Sequence, residues 1–340
     1  MPSRRAFLTG LGTVAAAIPL SRLAHALPRP AMSSFKLSVL TDEISQDLGR
    51  ACEVASREFG LGLVELRAMH NKNVMSWDAH DIAEAKSILA KYNLRVSEIA
   101  SPIFKTDWPG APKSPFSPKN PQFGADFTYE QQDELIERAV DLAKALDTRY
   151  IRIFDFWRLD DQTPHRKAID DRVREASIKV GKKAITFTLE NELACNTATG
   201  AEAARLLGAI REKSLMLNWD PGNARARGEN AFPDGYAKIP KDRIAHMHLK
   251  DVRCGAAATA KEKAEAFRKQ RARVSERSKC QTAIVGAGQV DLAGQLRALL
   301  RDGYEGTMSL EPEYEAPSVT HFEATRQSLE GLLKIMATAV

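Results

Sequence analysis

Short apolar segments alternate with helix-patterned segments along most of the chain, and this alternation limits the fold more than any other feature. Parallel strands need crossover connections, which are usually helices. Helical periodicity occurs at 47–59, 79–92, 129–146, 165–180, 201–211 and 292–301. Eight segments have the composition of short buried strands, at 36–41, 63–67, 95–100, 149–154, 184–189, 215–219, 244–249 and 306–310. The pattern predicts an α/β protein with a parallel sheet.

Two α/β architectures satisfy such an alternation, the closed barrel and the doubly wound open sheet. The G-x-G-x-x-G motif that marks many doubly wound sheets does not follow the first predicted strand. Eight strands that alternate with helical segments therefore favour a single (β/α)8 TIM barrel over residues 36–336. The proline-rich segment 102–121 is then a long loop on the face where such barrels place their active sites.

Metal-compatible side chains follow four successive predicted strands. In a TIM barrel, catalytic groups lie at the C-terminal ends of strands. Glu190 ends the fifth strand, Asp220 ends the sixth and Glu311 ends the eighth, while the seventh offers His246 or His248 on one face. Carboxylate oxygens and an imidazole suit a divalent cation. The sequence therefore predicts a cation site at the barrel mouth.

Five motifs resemble those of the xylose isomerase-like sugar phosphate isomerase/epimerase family: LEN, DPGN, HMHLKD, VGAGQVD and GYEGTMSLEPE. The resemblance covers about residues 36–336 and implies the metal ligands Glu190, Asp220, His248 and Glu311. It implies one divalent cation, with Mn2+ preferred and Mg2+, Co2+ or Zn2+ as alternatives. It also implies that Glu190 and Glu311 are catalytic, one taking a proton from the substrate and the other returning it.

Further residues are expected around the substrate, and some of them depart from the family pattern. Asn223 stands where epimerases of the family have His, and Cys254 stands where they have Arg, so Arg253 is the expected substitute. Glu192 replaces a His found in many relatives. These departures weaken an assignment to ketose 3-epimerases in particular. The full expected substrate-binding set is Glu65, Arg152, Glu192, Asn223, His246 and Arg253.

The predicted reaction is proton abstraction next to a carbonyl, by an isomerase or epimerase acting on a sugar or keto-sugar through an enediolate. A lyase acting on a keto-glycoside would share the first step and the same cation site. A non-catalytic periplasmic sugar-binding barrel is the alternative of another class. The complete set of four ligands argues against a binding module, because binding alone does not require them.

The N-terminus resembles a twin-arginine export signal over residues 1–26. Paired arginines, Arg4 and Arg5, precede an apolar stretch that ends at Leu20, and cleavage is expected near Ala26. Residues 11–20 are too few for a membrane span, and they include Gly12, so no stable anchor is expected. The resemblance implies export of the folded protein by the twin-arginine translocase and a periplasmic location.

The formal net charge of +5 does not indicate a nucleic-acid partner. The most basic stretch, 253–279, has nine basic and three acidic residues and is typical of an inserted helix with a solvated face. It has only one aromatic residue, Phe267, and the chain has too few strand-end histidines for the three-metal site of type IV endonucleases. Cys254 and Cys280 either pair or stay reduced, and self-association of the chain is left open.

Overall fold

The computed structural model describes residues 35–118, 126–255, 280–314 and 318–339. The predicted export signal at 1–26 lies outside the described residues, as does the predicted basic insert from residue 256 onward. Part of the predicted loop 102–121 also lies outside them.

All eight predicted strands are present and form one parallel sheet. The strands are β1 (Lys36–Val39), β2 (Leu63–Leu66), β3 (Arg95–Ile103), β4 (Tyr150–Ile153), β5 (Thr186–Glu190), β6 (Leu215–Trp219), β7 (Ile244–Leu249) and β8 (Thr307–Leu310). Their order in the sheet is β1-β8-β7-β6-β5-β4-β3-β2, and an isolated parallel bridge between Leu40 and Glu65 joins its two ends. The predicted (β/α)8 TIM barrel is confirmed.

Helices surround the sheet at the places where the periodicity predicts them. The helices are α1 (Leu48–Glu53, continued by a π-helical turn Val54–Glu58), α2 (Ala79–Lys91), α3 (Gln132–Ala145), α4 (Arg166–Gly181), α5 (Gly200–Ala209), α6 (Pro221–Ala226), α7 (Leu292–Arg301) and α8 (His321–Ala339). The helices α6 and α8 are additional to the predicted set. Asp78 caps α2 and Thr199 caps α5, each with a reciprocal capping box.

Two short hairpins decorate the barrel, one pairing Ala68–Met69 with Lys72–Asn73 and the other pairing Asp251–Cys254 with Cys280–Ala283. In the second hairpin Cys254 and Cys280 form a disulfide, while Cys52 and Cys195 are buried free thiols. The remaining elements are single turns at Thr41–Glu43, Val74–Ser76, Ala231–Gly235, Tyr236–Lys238 and Lys241–Arg243.

Side chains alternate along each strand between the barrel interior and the surrounding helices. On β6, Trp219 hydrogen-bonds Gln295 of α7, whereas Asn218 hydrogen-bonds Glu98 inside the barrel. The apolar core therefore fills the layer between sheet and helices, and polar side chains occupy much of the interior. Within the described residues, no helix has the length and apolar character needed to cross a bilayer.

Candidate metal centre and active site

Four predicted ligands converge at the C-terminal ends of β5 to β8, and we call them the cage: Glu190, Asp220, His248 and Glu311. One ligand atom from each lies within 4.8 Å of the others. His248 Nδ1 is 2.9 Å from Glu311 Oε2 and 3.6 Å from Glu190 Oε1. Each of the four residues is at most 2% exposed. The structure therefore assembles residues from four separate strand ends into one buried site.

Every cage residue has one buried atom that makes no hydrogen bond: Glu190 Oε2, Asp220 Oδ2, His248 Nδ1 and Glu311 Oε2. Their contacts with neighbouring charges are ion-pair contacts without hydrogen-bond geometry. Buried polar atoms are otherwise almost always hydrogen-bonded, so four such atoms around one point call for an explanation. A divalent cation with oxygen and nitrogen ligands supplies one, and the residues present fit it.

His248 presents a defined nitrogen to the cage. Its Nε2 hydrogen-bonds Glu65 Oε1 at 3.1 Å, which leaves Nδ1 facing the carboxylates of Glu190 and Glu311. A nitrogen lone pair that faces carboxylates needs a proton or a cation. Burial lowers the pKa of His248, but Glu311, Glu65 and Glu190 outweigh it and raise the pKa well above its usual range. A carboxylate behind a metal-binding histidine fixes its tautomer in the same way.

A family profile described as "xylose isomerase-like TIM barrel" matches residues 54–335. The chain belongs to the xylose isomerase-like TIM barrel family. The resemblance of the motifs to a xylose isomerase-like barrel family is thereby confirmed. A comparison with curated proteins gives no match.

Solved structures similar to this family member share its fold at low sequence identity. A probable 3-DHS dehydratase from Bacillus anthracis, involved in petrobactin synthesis, is 18% identical with a TM-score of 0.62, over 86% of this chain and 97% of that one. A D-allulose 3-epimerase from Methylomonas sp. is 16% identical with a TM-score of 0.59, over 88% and 95%. The IOLI protein, solved with a bound zinc atom, is 14% identical with a TM-score of 0.64, over 90% and 99%.

Two buried cations flank the cage in this xylose isomerase-like barrel. Arg152 Nη1 lies 3.1 Å from Glu190 Oε2 and 3.8 Å from Glu311 Oε1. Lys250 Nζ lies 3.1 Å from Asp220 Oδ2 and 2.9 Å from Glu311 Oε2. The family resemblance implies Arg152 at the site, and the structure places it beside Glu190 and Glu311. Lys250 is a residue that sequence reasoning missed.

Arg67 is a second missed residue, and it joins the cage to the loop after β1. Its guanidinium donates to Asp42 Oδ2 at 2.8 Å, to Glu43 Oε1 at 2.7 Å and to Glu311 Oε1 at 2.9 Å. A signal for both missed residues exists in the sequence. Arg67 follows Glu65 by two positions and Lys250 follows His248 by two, so both continue the inward-facing alternation of their strands.

The cage carboxylates differ in their proton affinity. Burial raises the pKa of Asp220 to about 7, and the neighbouring Lys250 only partly opposes it. The pKa of Glu311 lies well below its usual range. Burial alone would raise this pKa, but Lys250, His248 and Arg67 lower it by more. A cation bound in the cage would favour the ionised form of all three carboxylates.

A second polar set lies deeper in the barrel, and we call it the lower set: Glu65, Glu98 and His246. His246 Nε2 hydrogen-bonds Glu65 Oε2 at 3.1 Å. Glu98 Oε1 accepts from Thr188 and Glu98 Oε2 accepts from Asn218 Nδ2 at 3.0 Å. These residues together with His248 also have metal-compatible spacing. Both carboxylate oxygens of Glu65 and of Glu98, however, have hydrogen-bond partners within the protein.

The remaining predicted substrate residues divide between the mouth and the periphery. Asn223 Nδ2 donates to Glu190 Oε1 at 3.1 Å, so it touches the cage directly. Glu192 lies at the rim, where its Oε2 is 3.1 Å from Lys105 Nζ. Arg253 is exposed on the Asp251–Cys254 strand and donates to the carbonyl of Ala287. Arg253 is thus not brought to the cage, because the hairpin carries its side chain to solvent.

Proposed function

We propose that this protein is a metal-dependent enzyme that removes a proton from the carbon next to the carbonyl of a sugar or keto-sugar and returns one to it. Isomerases and epimerases perform this reaction. The observation that carries the proposal is the convergence of two buried glutamates, Glu190 from β5 and Glu311 after β8, on the same nitrogen of His248. Structural likeness to a D-allulose 3-epimerase supports it.

The cage residues would hold the cation, which when bound would stabilise the negative charge that develops on the substrate's carbonyl oxygen. Burial opposes ionisation of Glu190, but Arg152 and His248 lower its pKa below the usual value. Glu311 is held ionised by Lys250, His248 and Arg67. Both glutamates are therefore available as bases: one takes a proton from the substrate carbon, and the other, in its protonated form, returns one to it.

Asn223 and the rim residues have supporting roles in this proposal. Asn223 orients Glu190 through its hydrogen bond to Oε1. Its backbone N–H also donates to Asp220 Oδ1 at 2.8 Å, which fixes a second ligand. At the rim, Glu192 and Lys105 offer an acceptor and a donor for sugar hydroxyls. The Lys105 ammonium also lies 4.4 Å from the centre of the Phe154 ring.

A lyase is the second candidate, favoured by Lys250. Its ammonium lies between Asp220 and Glu311, where it is able to protonate a leaving oxygen after the first proton is removed. The structural likeness to a probable dehydratase supports this alternative. Isomerase and lyase share the first step and differ only in the later steps.

The test begins with metal analysis of the purified protein, followed by NMR of candidate sugars in deuterated water. We expect a divalent metal, with Mn2+ first and Zn2+, Co2+ or Mg2+ as alternatives. Deuterium next to the carbonyl with a changed stereocentre would identify an epimerase, and an unsaturated product would identify a lyase. Absence of both exchange and metal would rule out the enzymatic proposal.

Glu190→Gln and Glu311→Gln test the two bases directly. Each substitution removes a proton acceptor, so turnover should fall at least about 100-fold while three ligands remain. Glu137→Gln is the matched control, since Glu137 pairs with Lys179 and Lys183 on the exposed face of α3 and α4. Full turnover by both cage variants on the physiological substrate would contradict the two-base mechanism.

We also propose export to the periplasm by the twin-arginine translocase. The disulfide between Cys254 and Cys280 supports this, because disulfides persist in oxidising compartments. Replacing Arg4 and Arg5 together by Lys should retain the protein in the cytoplasmic fraction of the host. Unchanged fractionation of that variant would contradict this route.

A further inference from the structure

Lys250 contacts two oxygens that a metal ion in the cage would need as ligands. Its ammonium is 3.1 Å from Asp220 Oδ2 and 2.9 Å from Glu311 Oε2, and both oxygens belong to the set without hydrogen bonds. Lys250 itself is 3% exposed. The positively charged side chain of Lys250 therefore contacts two of the four cage residues.

A divalent cation and an ammonium repel each other when they share the same oxygens. The repulsion is strong in a buried site, where water screens little. A metal ion would then have to displace Lys250 from Asp220 Oδ2 and Glu311 Oε2. Otherwise it would share these oxygens with the ammonium, and they would be weaker ligands. Both effects reduce the metal affinity below what the cage alone would give.

Glu313 offers Lys250 a partner outside the cage. Its Oε2 lies 3.2 Å from the same ammonium, and its side chain is 24% exposed, so it belongs to the rim and not to the ligand set. The ammonium already contacts Glu313 and needs no new partner when it leaves the two ligands. A buried ammonium without a carboxylate would be costly, and Glu313 removes that cost.

We propose that Lys250 is a competing cation that sets the metal affinity of the cage. It pairs with Asp220 and Glu311 in the absence of metal, and Glu313 retains it when a divalent cation binds. The inference rests on the proposed metal dependence and is independent of the substrate. The alternative is that Lys250 merely organises the cage, and the two predict opposite changes in metal affinity.

The experiment is calorimetric titration of Mn2+ into the full-length protein after removal of bound metal with a chelator. Lys250→Met should bind Mn2+ at least about tenfold more tightly, an effect at the lower end of those seen for changes around metal ligands. Glu313→Gln should bind it about twofold to fivefold more weakly, because Lys250 loses its partner at the rim. The double variant should match Lys250→Met.

Lys105→Met is the matched control, since its ammonium pairs with Glu192 at the mouth without touching a cage residue, and its metal affinity should equal that of the wild type. Equal or weaker binding by Lys250→Met would overturn the inference. If circular dichroism shows that Lys250→Met does not fold, Glu313→Gln decides, and unchanged or tighter binding by that variant overturns it. If the wild-type protein binds no divalent cation, the proposed metal dependence fails as well.

Discussion

The cage and the lower set both contact His248, but they differ in the hydrogen bonding of their polar atoms. In the lower set, Glu65 accepts from His246 and His248, and both oxygens of Glu98 accept from side chains of β5 and β6. In the cage, each residue keeps one buried atom without a hydrogen bond. Both sets are almost fully excluded from solvent, so burial does not explain the difference.

This difference distinguishes residues that support the barrel, in the lower set, from residues that serve its function, in the cage. A buried network whose members are all hydrogen-bonded fixes the barrel interior in one arrangement. A buried set whose polar atoms lack hydrogen bonds is unfavourable for stability unless a ligand completes it, and such sites are typical of functional centres. We therefore expect substitutions in the cage to remove function with little loss of stability, and substitutions in the lower set to do the reverse.

The largest expected effect is on metal binding by Asp220→Asn. The substitution removes a ligand charge but keeps the cap of α6, since Asn also accepts from the backbone N–H of Asn223. We expect Mn2+ affinity to fall by more than about 100-fold, because changes outside the ligand shell alone cost about 10-fold to 100-fold. Calorimetric titration measures it, and urea unfolding of the metal-free protein should show little change. A large loss of stability without loss of Mn2+ affinity would show that Asp220 supports the fold and does not bind metal.

Glu65→Gln tests the other side of the comparison. Gln is uncharged and has one acceptor oxygen where Glu65 has two, so His246 and His248 lose the buried carboxylate between them. We expect the free energy of unfolding to fall by about 3 kcal/mol, as when one member of a buried pair is removed. Urea denaturation measures this change. Lys213→Gln is the control, because its pair with Asp242 is exposed and contributes little. Stability equal to that of the control would contradict a supporting role.

The smallest expected effect comes from Asp155, a buried carboxylate that belongs to neither set. Its oxygens accept from the N–H and the hydroxyl of Thr197, and burial raises its pKa to about 7. Because the folded state holds the proton up to a higher pH than the unfolded state, Asp155 makes stability fall as pH rises from about 4 to about 7. Asp155 is thus a buried carboxylate whose pKa is raised by burial more than it is lowered by the nearby cation Arg166.

Asp155→Asn should flatten this dependence by about 1 to 2 kcal/mol across the same window. Unfolding by urea at pH 5 and at pH 8 measures the difference between variant and wild type. The variant should gain relative stability at the higher pH. An unchanged difference between the two pH values would show that Asp155 does not titrate in this range.

The sequence alone determined the fold and the composition of the cage. Alternating strands and helices leave few topologies, and a (β/α)8 barrel brings the C-terminal ends of all its strands to one face. Glu190, Asp220 and Glu311 could therefore be placed together from their strand-end positions. The family resemblance selected His248 over His246, and the structure brings His248 to the cage and His246 to the lower set.

Only the tertiary structure decided how these residues are paired. Glu65 and His248 are 183 positions apart, and their contact inside the barrel depends on the register and tilt of strands that are not neighbours in the sheet. The same geometry places Lys250 on two ligand oxygens and turns Arg253 toward solvent. Local sequence patterns set which face of a strand a residue occupies, whereas its partner across the barrel is fixed by closure of the sheet.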